Sequence, residues 1–376
     1  MKIAVLAPFL IPTHPAGSQM LKVVQGLADE HKFTVFGAMI DRSLVNKVEF
    51  YKMPIPYRPI LTSYLVQFPL YGFLFKRLRL SQSFDVIHAI EICSPFSSII
   101  TLHYCFNRMV ELMRKGVIRY NGIRKPYRHL LYILSAKMEN YVVKNPYLKR
   151  LITVSEGLKK DILCFSSPSV VPRVIPNGID VERFMQARQY RNAMRRELNI
   201  GEKETVGVIC ALGDWERKGL GLLVEALTLL PRNSLKILVI GGGPIKYYQE
   251  LARNMGVSDA LIFTGFVRDV EKLYAAGDFF ILPTVFEAWP LVVLEAAATG
   301  LPLLVTRVNG VEDFVEHGVN GFFIERNPYS IADTIGSIIC DRDKLRIMGE
   351  EALKRVQMFD ISRMVDAYRQ LYEEIN

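Results

Sequence analysis

The stretch DFFILPTVFEAWPLVVLEAAATG (278–300) decides the reading of the fold. DFFILPT is apolar without alternation, as a strand covered on both faces of a parallel sheet must be. PLVVLEAAATG reads as a helix, with Pro290 in its first turn and Gly300 at its end. FEAWP therefore lies at the carboxyl end of the strand. Glu287 becomes a loop residue, and Glu295 sits about one and a half turns down the helix.

The same strand-to-helix handover repeats in both directions. In the second half TVGVICAL (205–212), LKILVIGG (235–242), LIFTGF (261–266), PLLVTRV (302–308) and GFFIE (321–325) read as strands. Helical patterns follow at 219–230, 245–255, 269–276, 290–299, 311–317 and 329–340. The first half offers strands at 2–8, 33–39, 84–89, 97–104, 151–155 and 173–178, with helices at 18–31 and 127–143. Alternation throughout predicts an α/β protein of two Rossmann-like, doubly wound parallel-sheet domains facing a central cleft. VIPNGIDVERF (174–184) carries the joint, since Pro176, Asn177 and Gly178 make a turn. The expected domains are 1–178 and 179–358, with a last helix over 344–375, broken near Phe359, whose segment 359–376 returns to the first domain.

Composition agrees with this size and class. The 376 residues suit two domains of roughly 150–200 residues each. Half are hydrophobic, and no repeat or low-complexity tract interrupts them. Five scattered cysteines (93, 105, 164, 210, 340), never in CxxC spacing, read as reduced thiols of a cytoplasmic protein, with neither disulfides nor a zinc site. MKIAVLAPFL reads as a buried first strand rather than a signal peptide. YLVQFPLYGFLFKRLRL (64–80), interrupted by Pro69 and Gly72, is too short to cross a bilayer. It suits either the bilayer surface or a core-packed helix with a basic edge. Residues 1–175 carry 24 Lys and Arg against 10 Asp and Glu, a net +14, whereas residues 176–376 carry 23 against 28, a net −5. A basic first half suits an anionic partner, for instance a membrane at whose inner face the protein works, or equally a well-solvated surface. Its aromatics lie in apolar runs without an RNA-binding motif, so no nucleic acid is expected.

Ligands of open α/β sheets bind beyond the carboxyl ends of the strands, so the loops there hold the candidate site. PFLIPTHPAGSQM (8–20) follows the first strand and carries Gly17 and Ser18. It is not GxGxxG, and no acid ends the second strand, which argues against a nicotinamide cofactor. Gly17 either lets a ligand approach the backbone or serves as a turn residue. GDWERKG (213–219) places Arg217 and Lys218 where the next helix starts. Two cations at a positive helix end call for an anion, and a diphosphate suits them. IGGGP (240–244) admits a ligand or a neighbouring loop. An anion at the start of helix 290–299, one polyol held by Glu287 and a second held by Glu295 match the order hexose, diphosphate, ribose of a nucleotide-sugar.

With these residues in place, the chain resembles glycosyltransferase family 4, retaining enzymes with two Rossmann-like domains and a Glu-x7-Glu segment. The resemblance covers nearly the whole chain: VIPNGID, the strand-end RKG, TGFVRDVEKLYAAGDFFILPT (264–284), the two acids and VNGVEDFVEHGVNGFF (308–323). It implies that Arg217 and Lys218 hold the donor diphosphate, that Glu287 meets the transferred sugar and that Glu295 binds the ribose. Ala288, Trp289, Pro290 and Leu291 form the amide-bearing loop beside sugar and phosphates, and Val267 meets the base. Gly17 and Ser18 lie near the phosphates, and His103, ending SSIITLHY, lies close to the transferred sugar. Two positions depart from the family pattern: Pro290 stands where many members have Gly, and Ser18 where many have a second Gly.

The implied reaction moves a hexose from a uridine diphosphate-sugar, glucose or N-acetylglucosamine, to a saccharide or lipid-linked acceptor of envelope or exopolysaccharide synthesis. The catalytic set is Glu287, His103, Arg217 and Lys218. Arg217, Lys218 and loop amides hold the leaving group's charge in place of a metal. No residue is an obvious double-displacement nucleophile. The departing phosphate would assist deprotonation of the acceptor, while Glu287 and His103 orient the sugar. The DxD at Asp341–Asp343 reads as solvated surface. The alternatives are another enzyme of the same fold, a nucleotide-sugar epimerase or phosphorylase, and a non-catalytic nucleotide-sugar-binding regulatory subunit. Donor turnover without acceptor marks the epimerase; binding without turnover marks the subunit.

Overall fold

The computed structural model describes every residue except 81–82, 119–124, 212, 233–234 and 376, so the predicted strand end at Leu212 lies outside the described residues. By contacts the chain divides into two compact units, Met1–Gly178 with Ile361–Asn376, and Ile179–Asp360.

The first unit contains β1 (Lys2–Leu6), β2 (Phe9–Leu10), β3 (Lys32–Gly37), β4 (Met39–Ile40), β5 (Glu49–Lys52), β6 (Val86–Ile90), β7 (Ile99–Leu102), β8 (Arg150–Thr153) and β9 (Arg173–Val174). They form a sheet in the order β5-β3-β1-β6-β7-β8-β9, and β2 pairs with β4. Every ladder is parallel, with Ile3–Leu6 of β1 opposite Val86–Ala89 of β6. Residues on both faces of β1 and β6 are buried, which is why these strands are apolar without alternation. The helix Ile361–Glu373 closes the unit against helix Pro15–Leu27. A side chain at Gly26 would meet Val365 at 2.7 Å, so glycine there permits the close approach. Tyr368 and Tyr372 reach the sheet from that helix. His88 of β6 bonds the Tyr372 hydroxyl at 2.8 Å and Thr101 at 2.9 Å, and Thr101 bonds Tyr368 at 3.0 Å.

The second unit contains β10 (Val206–Cys210), β11 (Lys236–Ile240), β12 (Leu261–Gly265), β13 (Phe279–Leu282), β14 (Leu303–Val305) and β15 (Gly321–Phe323), in the order β12-β11-β10-β13-β14-β15. All are parallel. Counted within the unit this is the 3-2-1-4-5-6 order of a doubly wound nucleotide-binding sheet, whose direction of winding reverses between β10 and β13. Helices Leu220–Leu227, Ile245–Asn254 and Pro328–Ile338 cover it, with Leu223, Val224, Ile331 and Ile335 fully buried.

Several local expectations shift. The first long helix begins at Pro15, not at residue 18, because His14 caps it by accepting from the Gly17 amide at 3.0 Å. The stretch 64–80 belongs to one helix, Ile60–Leu80, that runs through Pro69. Its Tyr71 and Phe75 are buried, and the Tyr71 hydroxyl bonds the Phe36 carbonyl at 2.8 Å. Tertiary packing there outweighs the missing amide of proline. Among the described residues no helix is long and apolar enough to cross a membrane.

Candidate functional site

The loops after β10 and β13 flank the point where the winding reverses, and they carry Arg217, Lys218 and Glu287. After β10 the chain makes a single helical turn, Trp215–Lys218, then bends at Gly219 with φ of 82°. A side chain at Gly219 would also meet the Pro283 carbonyl oxygen at 2.2 Å, so only glycine lets this loop lie against the one after β13. Trp215 anchors the turn, its indole N–H donating to the Ala211 carbonyl at 3.1 Å. The glycines of IGGGP serve the same packing: side chains at Gly241 and Gly243 would strike Ala211 O at 2.0 Å and the Trp215 ring at 2.6 Å. These glycines let the loop after β10 pack closely against the turn.

Arg217 and Lys218 thus end a one-turn helix rather than opening the next one, and their anion is Glu287. The Glu287 Oε1 accepts from Lys218 Nζ at 2.5 Å, Arg217 Nη1 at 2.9 Å and Thr284 Oγ1 at 2.9 Å. Arg217 also donates to the Phe286 carbonyl and lies 3.4 Å from Asp214. Arg217 and Lys218, expected at the diphosphate, and Glu287, expected at the hexose, stand in one ion-paired cluster. The Glu287 and Lys218 side chains are only 10% and 12% exposed. Burial pushes the Glu287 carboxyl up, but Lys218 and Arg217 beside it together outweigh burial and hold it below its ordinary value. Burial lowers the Lys218 ammonium, Glu287 opposes that, and Arg217 adds to it. With Asp214 counted, two cations meet two anions.

Helix Leu291–Ala298 follows, with Pro290 at its N-cap and not in its first turn, and with no side-chain cap on its amides. Ala288 and Trp289 are buried, and the Trp289 ring packs 5.1 Å from that of Phe359. Glu295 is half-buried on this helix and accepts from the Tyr274 hydroxyl at 2.9 Å. Cys210, last residue of β10, lies within electrostatic reach of both Glu295 and Lys218, and burial pushes its thiol up to about 12. Val267 follows β12 and is half-buried beside exposed Phe266. The structure thus gathers Arg217, Lys218 and Glu287 tightly, with Glu295 on the helix that Glu287's loop leads into. Thr284 and Tyr274, which hold the two acids, went unnoticed in the sequence although both lie in the quoted TGFVRDVEKLYAAGDFFILPT run.

The remaining predicted residues lie in the first unit. Gly17 is inside the first turn of helix Pro15–Leu27, and a side chain there would strike the Phe9 carbonyl oxygen at 1.9 Å. Ser18 donates its hydroxyl to the Pro15 carbonyl at 2.9 Å. His103 follows β7; its amide donates to Glu91 Oε1 at 2.8 Å, and its Nδ1 lies 3.1 Å from the same oxygen. Glu91 was missed, although it directly follows β6 and the strand-end rule points to it. Among the described residues no three His, Cys, Asp or Glu side chains converge on a metal site. Asp341 caps helix Arg342–Val356 through the Lys344 amide, and Asp343 is exposed.

Residues 16–183 match the profile of Glycosyltransferase Family 4 and residues 203–341 that of Glycosyl transferases group 1. The chain is 31% identical over 327 residues to the D-inositol 3-phosphate glycosyltransferase of Corynebacterium urealyticum, covering 77% of this chain and 72% of that one. It is 31% identical over 211 residues to the UDP-Gal:alpha-D-GlcNAc-diphosphoundecaprenol alpha-1,3-galactosyltransferase of Escherichia coli, covering 53% of each. Over several curated relatives the match spans about half their length. In structure it is similar to the Anabaena protein HepE solved with UDP-glucose, with a TM-score of 0.72, 18% identity and all of both chains covered. Two Rossmann-like parallel sheets, the strand-end cluster and these matches agree: the chain belongs to the family 4 glycosyltransferases and has their B-type fold.

Proposed function

We propose that the protein transfers a hexose, with retention of configuration, from a uridine diphosphate-sugar to a saccharide or lipid-linked acceptor of envelope or exopolysaccharide synthesis. The observation that carries the reading is the Arg217–Lys218–Glu287 cluster at the winding reversal of the second unit. Residues 179–358 hold the donor, and the basic segment 1–178 serves the acceptor. When the sugar–phosphate bond breaks, charge grows on the diphosphate, and donors already oriented by Glu287 take it up without reorganising. Arg217, Lys218 and the uncapped amides of helix Leu291–Ala298 supply those donors, so the proposed transfer needs no metal. Glu287 and His103 orient the sugar, and Glu295, steadied by Tyr274, takes the ribose hydroxyls. Val267 lies beside the base. The Escherichia coli relative's name specifies a UDP-sugar donor and a polyprenyl diphosphate acceptor, and the HepE structure contains UDP-glucose, which favours this donor class.

The proposed working place is the inner face of a membrane, touched peripherally. Helices Ile60–Leu80 and Lys125–Val142 pack together, with the Tyr127 hydroxyl accepting from the Leu61 amide at 3.1 Å. They expose Ile60, Leu65, Phe73, Leu130, Ile133 and Tyr141, with Phe73 69% exposed, next to exposed Lys76, Arg77 and Lys137. Apolar side chains flanked by cations suit an anionic lipid surface.

A thermal-shift panel of nucleotide-sugars, with and without magnesium, followed by turnover assays, tests the reading. Stabilisation by a UDP-sugar without magnesium is expected, as is release of UDP that rises with acceptor. Stabilisation only with a divalent ion overturns the metal-free mechanism. Acceptor-independent conversion of the donor points to an epimerase, and binding without turnover to a regulatory subunit.

A further inference from the structure

Glu91 stands at the carboxyl end of β6 with φ of 59°, in the left-handed region that a side chain with a Cβ rarely adopts. Among the described residues, the other non-glycine positions with positive φ, Ser167 and Asn199, follow helices Glu156–Ser166 and Arg191–Glu197, where such a turn is ordinary. Glu91 directly follows a strand, and its neighbours over-determine its conformation. Its amide donates to the Thr101 carbonyl at 2.8 Å, and its Oε1 accepts from the His103 amide at 2.8 Å. The strained turn therefore folds the carboxylate across the end of β7 onto His103.

What this leaves open is chemically specific. Among the described residues, Glu91 Oε2 and both His103 ring nitrogens are buried without an aligned hydrogen-bond partner. Nδ1 lies 3.1 Å from Glu91 Oε1 but is not aligned with it. Buried polar atoms without partners mark strain or a missing ligand. His14 lies within electrostatic reach of both residues, and its own Nδ1 is occupied by the Gly17 amide. All three sit where the first sheet reverses its winding, between β1 and β6, or one strand beyond.

We propose that Glu91 is the positioning residue for His103 and a second acceptor beside it. This rests on the glycosyltransferase reading above but not on the identity of the sugar. The carboxylate charge 3.1 Å from Nδ1 favours the ring proton on that nitrogen over Nε2 on electrostatic grounds, without an aligned hydrogen bond, so His103 Nε2 is the acceptor. Glu91 Oε2 is another acceptor on the adjoining side chain. Two acceptors on adjoining side chains take two hydroxyl groups, as a sugar diol offers, and disfavour phosphate or carboxylate. The first unit thus discriminates for a polyol at this point.

The test uses full-length protein, wild type and the variants Glu91→Gln and Glu91→Gly. Nitrogen-15 histidine NMR of the wild type is expected to show His103 protonated at Nδ1, with that preference lost in both variants. Glu91→Gln should lower kcat for UDP-glucose roughly 10- to 100-fold, the effect of one charge-assisted hydrogen bond. UDP alone should still raise Tm equally in wild type and variant, since it carries no transferred sugar. Glu91→Gly relieves the backbone and should match or exceed wild-type Tm while losing turnover; a merely structural Glu91 would leave turnover intact in it. Wild-type His103 protonated at Nε2, or folded variants with unchanged kcat, overturn the proposal. If the wild type turns over no UDP-sugar, the glycosyltransferase reading fails instead, and the His103 tautomer alone decides the role of Glu91.

Discussion

Lys218 Nζ and Glu287 Oε1 stand 2.5 Å apart, and Arg217 reaches the same oxygen from the other side. One carboxylate oxygen thus sets the direction of two cations that come from a different loop, 69 and 70 residues away in sequence. Anion-binding groups held in this way lose little entropy when charge arrives.

Removing the shared acceptor should be costly. Glu287→Ala leaves two adjacent, largely buried cations without the carboxylate they share. Urea unfolding is expected to show a loss of about 3 kcal/mol or more, with Glu287→Gln losing less because its carbonyl still accepts. An unchanged urea midpoint for Glu287→Ala would contradict the buried cluster.

Neutralising both cations addresses chemistry rather than folding. Arg217→Ala with Lys218→Ala should reduce kcat about 100-fold or more, the scale of lost leaving-group stabilisation. Full-speed transfer in steady-state assays of this double variant would remove the diphosphate role.

Glu295 should behave differently, because a ribose contact is made equally before and during the reaction. Glu295→Gln is expected to raise the donor KM several-fold with kcat nearly unchanged. Tyr274→Phe, which removes the hydroxyl that donates to Glu295, should show a smaller effect of the same kind. A fall in kcat with KM constant would move Glu295 to the reacting centre.

His88 predicts a pH dependence of stability. Burial lowers its pKa to about 3 from an ordinary 6.5. As pH falls, the unfolded chain therefore binds the proton first. The contribution is full above about pH 6.5 and drains at about 1.4 kcal/mol per pH unit towards pH 3. His88→Gln should flatten this part of the curve between pH 6 and 4, measured as the difference between urea unfolding of wild type and variant. Parallel curves would exclude a neutral buried His88.

The proposed membrane contact is checked with vesicles. The wild type should sediment with vesicles containing anionic phospholipid and less with zwitterionic ones, the difference shrinking with salt. Phe73→Glu with Leu130→Glu should abolish sedimentation at unchanged Tm. Equal binding to both lipid types would argue against the basic apolar face.

Much of the fold was legible because burial on both faces leaves a periodic trace. Strands such as Phe279–Leu282 are uninterrupted apolar runs, and the helices between them repeat every three or four residues. Short edge elements escaped: β2 and β5 have two and four residues, and the EFYK of β5 is mostly exposed. One of the two sequence readings of 64–80, a core-packed helix, holds: helix Ile60–Leu80 runs through Pro69, whose local cost is offset by the packing of Tyr71 and Phe75. Gly17 stood out in the sequence, yet what excludes a side chain there is the carbonyl of Phe9 in β2, and at Gly219 it is the carbonyl of Pro283 from the loop after β13.

By itself, the chain determined the α/β class, the family, and which strand ends carry acids and bases, since these depend on local pattern. It did not determine that Glu287 is the counterion of Arg217 and Lys218, that His88 is neutral between Thr101 and Tyr372, or that Glu91 bends through the left-handed region to His103. Those relations join residues 12 to 284 positions apart. They exist only because the tertiary structure brings strand ends together and excludes water there, which changes the energy of every charge it encloses.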